Sequence, residues 1–202
     1  MRSHREIEIK LRVDDLGGII RKIIALGART LGRVHEYNVL FDTPDAAFRL
    51  TGWLVRLRTE TPAAAWGLPA GRRSAVVTLK APAPPRRRGA RSPFKERLET
   101  EVAARNTRSF RRQVARLGLR PGFCYEKYRT TFRIPHWRLH IDLDETPIGT
   151  ILELEGEPEA IRKVARQLGF PPREFLRVTY WELNAAECRR RGVAPGNMLF
   201  RL

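Results

Sequence analysis

The chain has 202 residues, of which 42% are apolar and 30% are charged. This length corresponds to one or two domains and is sufficient for a hydrophobic core without disulfide or metal cross-links. Lys and Arg number 39 against 22 Asp and Glu, a net charge of +17, which indicates an anionic partner: nucleic acid, an anionic membrane or a phosphorylated small molecule.

Several classes of protein are disfavoured. A membrane helix needs about 20 consecutive apolar residues, and the best candidate, Leu16 to Ala28, is interrupted by Arg21 and Lys22. The first residues are charged and form no apolar signal region. Cys124 and Cys188 are not in a CxxC pattern, which argues against a zinc ribbon, a thioredoxin-like site or a disulfide scaffold. We therefore expect a cytoplasmic protein.

The first predicted element is a strand with one charged and one apolar face. From Glu6 to Val13 polar and apolar residues alternate strictly, which is the period of a strand. Asp14 is predicted to cap the helix that follows. The apolar residues of that helix have helical spacing, and it ends at Leu26-Gly27.

The same unit of a strand and a helix occurs twice more. Arg97–Val102 contains a second Glu-x-Glu pair and precedes a helix that ends at Leu117-Gly118. Leu152–Glu155 contains a third pair and precedes a helix from about Pro158 to Leu168-Gly169. Three such units favour an internal structural repeat.

Four other segments have the same alternation: Val55–Arg58, Val77–Lys80, Lys127–Thr130 and Leu139–Asp144. A hairpin turn is predicted around Pro135, and a helix is predicted from about Arg173 to Arg191. His140 is predicted to lie at the rim of the charged strand faces. Pro, Gly and Arg are frequent between residues 60 and 95, which predicts flexible loops around 60–75 and 82–95. No linker divides the chain, so we expect a single domain over residues 1–202.

The charged strand faces consist almost entirely of carboxylates and Lys or Arg, whereas a solvated face normally also contains Ser, Thr, Asn and Gln. A closed antiparallel barrel of the α+β class, with a charged lumen and helices outside, accounts for both faces. The acidic set is Glu6, Glu8, Glu99, Glu101, Asp142, Asp144, Glu153 and Glu155. The basic set is Lys10, Arg56, Arg58, Lys80, Arg97, Lys127 and Arg129. The two sets form salt bridges with each other, or they bind a divalent cation and a chain of phosphoryl groups.

The charged motifs, taken in their order along the chain, resemble those of the CYTH family, also called the triphosphate tunnel metalloenzymes. Glu6-x-Glu8-x-Lys10 is similar to the ExExK signature of the family. The later motifs of the family are similar to further segments of this chain: Arg56-Leu57-Arg58, Thr78-Leu79-Lys80, Arg97-x-Glu99-x-Glu101, Lys127-Tyr128-Arg129, Asp142, Gly149 and Glu153-Leu154-Glu155. The resemblance covers about residues 5–185 and implies an eight-stranded antiparallel barrel, the triphosphate tunnel.

The resemblance also implies site roles. It implies Mg²⁺ or Mn²⁺ held by Glu6, Glu8, Glu99, Glu101, Asp142, Glu153 and Glu155. It implies that the phosphates are bound by Lys10, Arg56, Arg58, Lys80, Arg97, Lys127 and Arg129. The residues expected to act in catalysis are Glu6, Glu8, Lys10 and Lys127. The chain departs from the family at the pattern Q-x-D-x-Y-F-D, where Asn38 stands in place of the Asp and Leu40 in place of the Tyr. Tyr37 is expected to substitute for the missing Tyr from a shifted position.

The expected activity is that of a metal-dependent hydrolase acting on tripolyphosphate, thiamine triphosphate or ATP. The alternatives are a class IV adenylyl cyclase, which uses the same tunnel, and polyphosphate or RNA binding without catalysis through Arg86–Arg91 and Arg189–Arg191. Neither a membrane nor a nucleic acid is the expected partner, and the oligomeric state, a homodimer included, is open. The two lumen sets nearly balance, so the excess positive charge is expected in the Arg-rich loop, the helices and the C-terminal segment.

Overall fold

The structure is a computed structural model that describes residues 3–63, 72–84, 92–134 and 137–200. These residues form eight strands and five α-helices. The strands are β1 Ser3–Val13, β2 Arg29–Asp42, β3 Leu54–Pro62, β4 Ser74–Pro82, β5 Lys95–Ala103, β6 Arg120–Arg133, β7 Leu139–Thr146 and β8 Gly149–Gly156. The helices are α1 Leu16–Ala25, α2 Ala47–Thr51, α3 Thr107–Arg116, α4 Pro158–Leu168 and α5 Tyr180–Arg190, with a short 3-10 helix at Pro172–Glu174.

All eight strands form one closed antiparallel barrel. Their order is β1–β5–β4–β3–β2–β6–β7–β8, and β8 pairs with β1. Closure leaves no free strand edge in the barrel. The predicted fold class, an α+β closed eight-stranded barrel with a charged lumen and helices outside, is confirmed. The seven segments with strict alternation all lie in strands.

The three Glu-x-Glu strands are neighbours. β1 lies between β5 and β8, so their carboxylates share one wall of the lumen. The outer faces of β1, β7 and β8 form the main core, with Ile9, Leu11 and Leu154 packed beneath α1 and α4. α3 packs elsewhere, against Val39 and Leu57. The helices of the three units therefore do not occupy equivalent positions on the barrel.

Two boundary predictions were wrong. Asp15, not Asp14, caps α1, because its carboxylate accepts a hydrogen bond of 2.8 Å from the backbone N–H of Gly18. The C-terminal helix begins only at Tyr180. The segment before it is extended and exchanges two backbone hydrogen bonds of 2.9 Å between Leu176 and Lys10, and Thr179 then starts α5 with a capping box.

An apolar cluster occupies one end of the barrel. It consists of Phe123, Tyr125, Ile151, Tyr180, Leu183 and Met198. The cluster brings together the start of β6, the start of β8, the first turns of α5 and the segment after α5. This end is therefore partly closed, and α5 is attached to the strands that carry the lumen charges.

None of the helices in the described ranges is long and apolar enough to cross a membrane. The predicted loops around 60–75 and 82–95 fall partly on residues 64–71 and 85–91, and the predicted turn at Pro135 on residues 135–136. These parts of the predictions lie outside the residues that the structure describes, whereas residues 60–62 and 74–75 belong to β3 and β4.

Gly156 lies where β8 closely approaches the segment before β7, and a substitution there tests this approach. A Cβ at Gly156 would overlap the carbonyl oxygen of Arg138, and the backbone φ of +155° is unfavourable for other residues. Overpacking and a positive φ together cost about 3 kcal/mol, so Gly156→Ala should lower the free energy of unfolding by about this amount. Urea denaturation measures it.

Gly149→Ala is the matched control for Gly156→Ala. Gly149 also has a positive φ, +110°, but a Cβ there meets no atom within 4 Å. Gly149→Ala should therefore lower the free energy of unfolding only by the conformational strain, about 1 kcal/mol. Equal losses in the two variants would contradict the close approach.

Candidate active site

The barrel encloses a cavity of about 480 Å³ lined by residues from all eight strands and the start of α5. All fourteen site residues predicted from the sequence line it: Glu6, Glu8, Lys10, Arg56, Arg58, Lys80, Arg97, Glu99, Glu101, Lys127, Arg129, Asp142, Glu153 and Glu155. Among the described residues, nine lining carboxylates face eight lining Lys and Arg side chains. The lumen is therefore nearly neutral, and the net charge of +17 lies outside it.

Asp144 is the most fully paired carboxylate of the lumen. It is completely buried and accepts hydrogen bonds from Lys127 at 2.9 Å, from Arg129 at 2.7 and 2.6 Å, and from the hydroxyl of Tyr180 at 2.5 Å. Asp144 therefore fixes the positions of Lys127 and Arg129 and links them to α5.

Arg129 joins the acidic residues of β7 and β8. Its guanidinium lies 2.8 Å from Asp142 and 2.6 Å from Glu153. Burial raises the pKa of Asp142, although Arg129 opposes this. Burial also disfavours the charged form of Glu153, but Lys10 and Arg129 outweigh it and hold the pKa of Glu153 well below its usual range.

Lys10 and Lys127 remain charged at neutral pH. Lys10 lies 3.1 Å from Glu8 and 3.0 Å from Glu153. Burial alone lowers the pKa of Lys10, but these two carboxylates reverse the effect and raise it. Burial and Arg129 lower the pKa of Lys127, but Asp144, Glu36 and Glu153 together outweigh them and raise it. Both ammonium groups are thus fixed positive charges.

The opposite wall carries two arginines. Arg56 and Arg58 lie 3.5 and 3.4 Å from Glu101, and Arg58 is also 3.7 Å from the buried Glu36. Burial opposes ionisation of Glu36, but Lys127, Arg129 and Arg58 lower its pKa. These pairs keep both arginines extended into the lumen.

Five buried polar atoms of the lumen have no hydrogen-bond partner among the described residues: the donors Nε of Arg56, Arg58 and Arg97, and the acceptors Oε2 of Glu6 and Oδ1 of Asn38. Two of the donors still have an ion-pair contact, since Nε of Arg58 lies 2.9 Å from Glu60 and Nε of Arg97 lies 3.6 Å from Oε2 of Glu6. Buried polar groups are normally satisfied. The lumen therefore retains donors that match an anion and an acceptor that matches a cation.

The carboxylates of Glu6, Glu99 and Glu155 differ in how well they are paired. Lys80 contacts Glu6 and lies 2.9 Å from Glu99, and Nε of Arg97 lies 3.6 Å from Glu6. Within the described ranges, no hydrogen bond or ion pair reaches Glu155, and burial together with Glu6 raises its pKa to about 8. No group of three His, Cys, Asp or Glu side chains in those ranges is arranged to hold a metal ion, because several of the oxygens are turned to Lys80, Lys10 and Lys95.

The sequence analysis missed several lumen residues, including Lys95, Glu36, Tyr125 and Tyr180. Lys95, at the start of β5, lies 3.2 Å from Glu8, and burial lowers the pKa of Lys95 to about 8. It shares a face with Arg97, so extending the alternation by two residues would have found it. Glu36 and Tyr125 also line the cavity. Tyr180 enters from a helix, where strand alternation gives no signal.

The expectation that Tyr37 substitutes for the missing family Tyr was wrong. Tyr37 lies on the outer face of β2 and packs with Val39 in the α3 cluster. Asn38 faces inward and donates a hydrogen bond of 3.3 Å to Glu36, and Leu40 lines the cavity. A one-residue shift moves a strand side chain to the opposite face. His140 lines the cavity and is exposed, as a rim position requires.

A second cavity, of about 370 Å³, adjoins the lumen. The two cavities share Leu40, Leu54, Arg97, Thr179 and Trp181. Its other walls include Phe48, Trp53 and Phe123, and Trp53 is 43% exposed. The guanidinium of Arg49 lies 4.4 Å from the centre of the Trp181 ring. This adjoining cavity is therefore aromatic, in contrast to the charged lumen.

Comparison with known proteins gives one family. A model of the CYTH domain matches residues 4–172, and no curated protein matches the sequence. A structure from Pyrococcus horikoshii is similar with a TM-score of 0.71 and 24% identity, over 88% of this chain and 97% of that one. A candidate adenylate cyclase from Vibrio parahaemolyticus has a TM-score of 0.69 and 18% identity, over 90% and 98% of the two chains.

A third structure is a candidate adenylyl cyclase from Hippeastrum, described as having a dominant triphosphatase activity. Its TM-score is 0.54 and its identity 20%, over 93% of this chain and 96% of that one. At these identities the likenesses show a shared fold.

The raised pKa of Glu155 predicts a pH dependence of stability. Its pKa is about 8 in the folded protein against 4.5 ordinarily, so between these values the folded state holds a proton that the unfolded state has lost. The stabilisation of the folded state by this bound proton is complete below about pH 4.5 and is lost as the pH rises through 8. In metal-free urea denaturation, Glu155→Gln should therefore flatten the decline of the unfolding free energy between pH 5 and 8.

Glu159→Gln, at an exposed carboxylate of α4, is the control and should leave the pH dependence of the wild type. If the unfolding free energies of Glu155→Gln and wild type decline in parallel, the protonation of the half-buried Glu155 is refuted.

Proposed function

The chain belongs to the CYTH domain family, and from this premise we propose that it is a divalent-metal-dependent triphosphatase. The proposed reaction is hydrolysis of a phosphoanhydride bond in an organic triphosphate whose phosphates lie in the barrel lumen. The proposed substrate is a nucleoside triphosphate.

The observation that carries the proposal is the set of eight Lys and Arg side chains that line one lumen. Among them, Nε of Arg56 and Nε of Arg97 donate no hydrogen bond, although Arg97 lies 3.6 Å from Glu6. Phosphoryl oxygens supply several acceptors at short intervals, and Arg binds them with paired N–H groups. A triphosphate thus satisfies donors that the protein leaves unsatisfied.

The acidic corner of the lumen, formed by Glu6, Glu8, Glu99 and Glu155, has the donor chemistry of a metal site. Its donors are all carboxylate oxygens, which hard cations such as Mg²⁺ and Mn²⁺ prefer, and Oε2 of Glu6 accepts no hydrogen bond. We assign Glu6, Glu8, Glu99 and Glu155 as the residues that would hold it. When bound, the ion would neutralise phosphate oxygens and lower the pKa of a coordinated water.

The remaining lumen residues bind and orient the substrate. Lys10, Lys127 and Arg129 are held in place by Asp144 and Glu153, so their charges require little reorganisation as charge develops on the transferred phosphoryl group. Asp144 accepts these bonds and positions the donors. Water is the only nucleophile that this scheme requires.

The adjoining cavity supports an organic group on the triphosphate. Its aromatic walls provide surfaces on which a planar ring can stack. Its charged lining includes Arg49, Arg97 and Arg120. The carboxylate of Asp42 is occupied by the backbone N–H groups of Thr43, Phe48 and Arg49, at 2.8, 2.9 and 3.1 Å. A neutral nucleobase suits this lining better than the cationic ring of thiamine.

A cyclase would use the same two cavities. It differs in its nucleophile, which would be the 3'-hydroxyl of ATP, and in its products, cyclic AMP and pyrophosphate. Hydrolysis demands less of the site, because no hydroxyl of the substrate has to be aligned with a phosphorus atom.

The activity is tested with ATP, thiamine triphosphate and tripolyphosphate, each with Mg²⁺ and with Mn²⁺, by assaying phosphate and cyclic AMP. We expect metal-dependent release of phosphate, fastest from ATP. Glu6→Gln should reduce kcat/KM by about 100-fold, since loss of a metal ligand removes charge stabilisation in the transition state.

Glu159→Gln serves as the control, and circular dichroism verifies that both variants are folded. Full activity of Glu6→Gln would refute the metal assignment. Cyclic AMP without phosphate would identify a cyclase, and no turnover of any of the three substrates would refute an enzymatic role.

Trp53→Ala tests the adjoining cavity. Stacking of a base on an aromatic side chain contributes about 1–3 kcal/mol, so KM for ATP should rise by about 5-fold or more. KM for tripolyphosphate should stay within about 2-fold, because that substrate has no ring. An equal rise for both substrates would place the effect of Trp53 in the lumen and contradict the base site.

A further inference from the structure

The surface of α3 carries a concentration of positive charge that the lumen does not explain. Between Val102 and Tyr125 the sequence contains no Asp or Glu and six arginines: Arg105, Arg108, Arg111, Arg112, Arg116 and Arg120. All six are exposed. None lines the lumen cavity. This region therefore accounts for a large part of the net charge of +17.

Three of these arginines form a stripe along one side of the helix. Arg108, Arg112 and Arg116 are four residues apart and hence lie above one another, about 6 Å apart along the axis at 1.5 Å per residue. Arg105 continues the line just before the N-cap, Asn106. Like charges at this spacing destabilise an isolated helix, and within the described ranges no ion pair offsets them.

α5 shows how this chain neutralises exposed arginines elsewhere. Glu187 lies 2.7 Å from Arg190 and 2.6 Å from Arg191. No acidic side chain does this for the α3 stripe. The residues outside the described ranges contain no Asp or Glu, so they supply no side-chain carboxylate to it either. The stripe is thus matched to a negative charge from outside the chain.

The opposite face of α3 limits the kind of polyanion. Phe110 and Val114 pack against the barrel with Val39 and Phe41, so the apolar face is not available to enter a lipid surface as an interfacial helix requires. The stripe itself contains no aromatic side chain on which the bases of a single strand would stack. What it offers is regularly spaced guanidinium groups on the exposed side of a helix.

We propose that α3 binds the phosphate backbone of double-stranded nucleic acid without reading its sequence. Arginine pairs with phosphate oxygens, and backbone contacts of this kind supply sequence-independent affinity. The interaction does not depend on the lumen or on the proposed hydrolysis. It also differs from the RNA binding through Arg86–Arg91 and Arg189–Arg191 considered from the sequence.

The test is the salt dependence of binding, measured by fluorescence anisotropy between 50 and 200 mM KCl. The probes are a labelled DNA duplex of 24 base pairs and an RNA duplex of the same sequence. Each phosphate contact contributes about −0.9 to the slope of log Kobs against log salt on duplex DNA. Arg108→Gln with Arg112→Gln should therefore make the DNA slope less negative by about 1.8, and the affinity should fall on both duplexes if the shared backbone is what α3 contacts.

These two substitutions are chosen to preserve the fold. Arg108 is exposed in the first turn of α3, where a cation is unfavourable to the helix dipole, and Arg112 is exposed on the same side. The matched control, Arg190→Gln with Arg191→Gln, removes the same charge from α5, where Glu187 already pairs with both. Its slope should equal that of the wild type. ATP hydrolysis should be unchanged in both double variants.

Three outcomes would overturn the proposal. Equal changes of slope in the α3 and α5 variants would mean that only the overall charge attracts the duplex. Absence of duplex binding by the wild type at 50 mM KCl would exclude it directly. Binding to inorganic polyphosphate or to phosphatidylserine vesicles, with none to either duplex, would assign the stripe to another polyanion.

Discussion

Compensation of charge inside a closed barrel is the constraint on which the rest of the structure depends. A lone buried ion is costly, whereas a buried ion with a partner and full hydrogen bonding is tolerated. The register of the strands supplies such partners: Asp144 holds Lys127 and Arg129, and Lys10 lies between Glu8 and Glu153. The strict alternation of the strands follows, because the strands that present charged side chains to the lumen must also present apolar side chains to the helices outside.

The compensation is incomplete at two places, and these are where ligands are expected. Nε of Arg56 and Nε of Arg97 donate no hydrogen bond, Oε2 of Glu6 accepts none, and the carboxylate of Glu155 has a pKa of about 8. A metal-bound triphosphate would supply charge of both signs at these places. Outside the barrel, α3 displays arginines without acidic partners among the described residues, while the lumen itself is close to neutral.

The sequence predicted the fold and most of the lumen because strand alternation maps each residue to one face. Every predicted site residue lies in the cavity. The prediction missed β2, whose inward positions include Val34 and Leu40 beside Glu36 and whose register shifts near both ends, so its pattern is not regular. It also missed Tyr180, since a helix that enters a barrel end has no alternation to mark it.

The central claim, that one lumen holds both the metal and the triphosphate, is tested most directly by a crystal structure with Mn²⁺ and tripolyphosphate, using the anomalous signal of manganese. We expect an anomalous peak among Glu6, Glu8, Glu99 and Glu155, and phosphate density against Arg56, Arg97 and Lys127. Phosphate density outside the barrel, or an anomalous peak away from these carboxylates, would contradict the account.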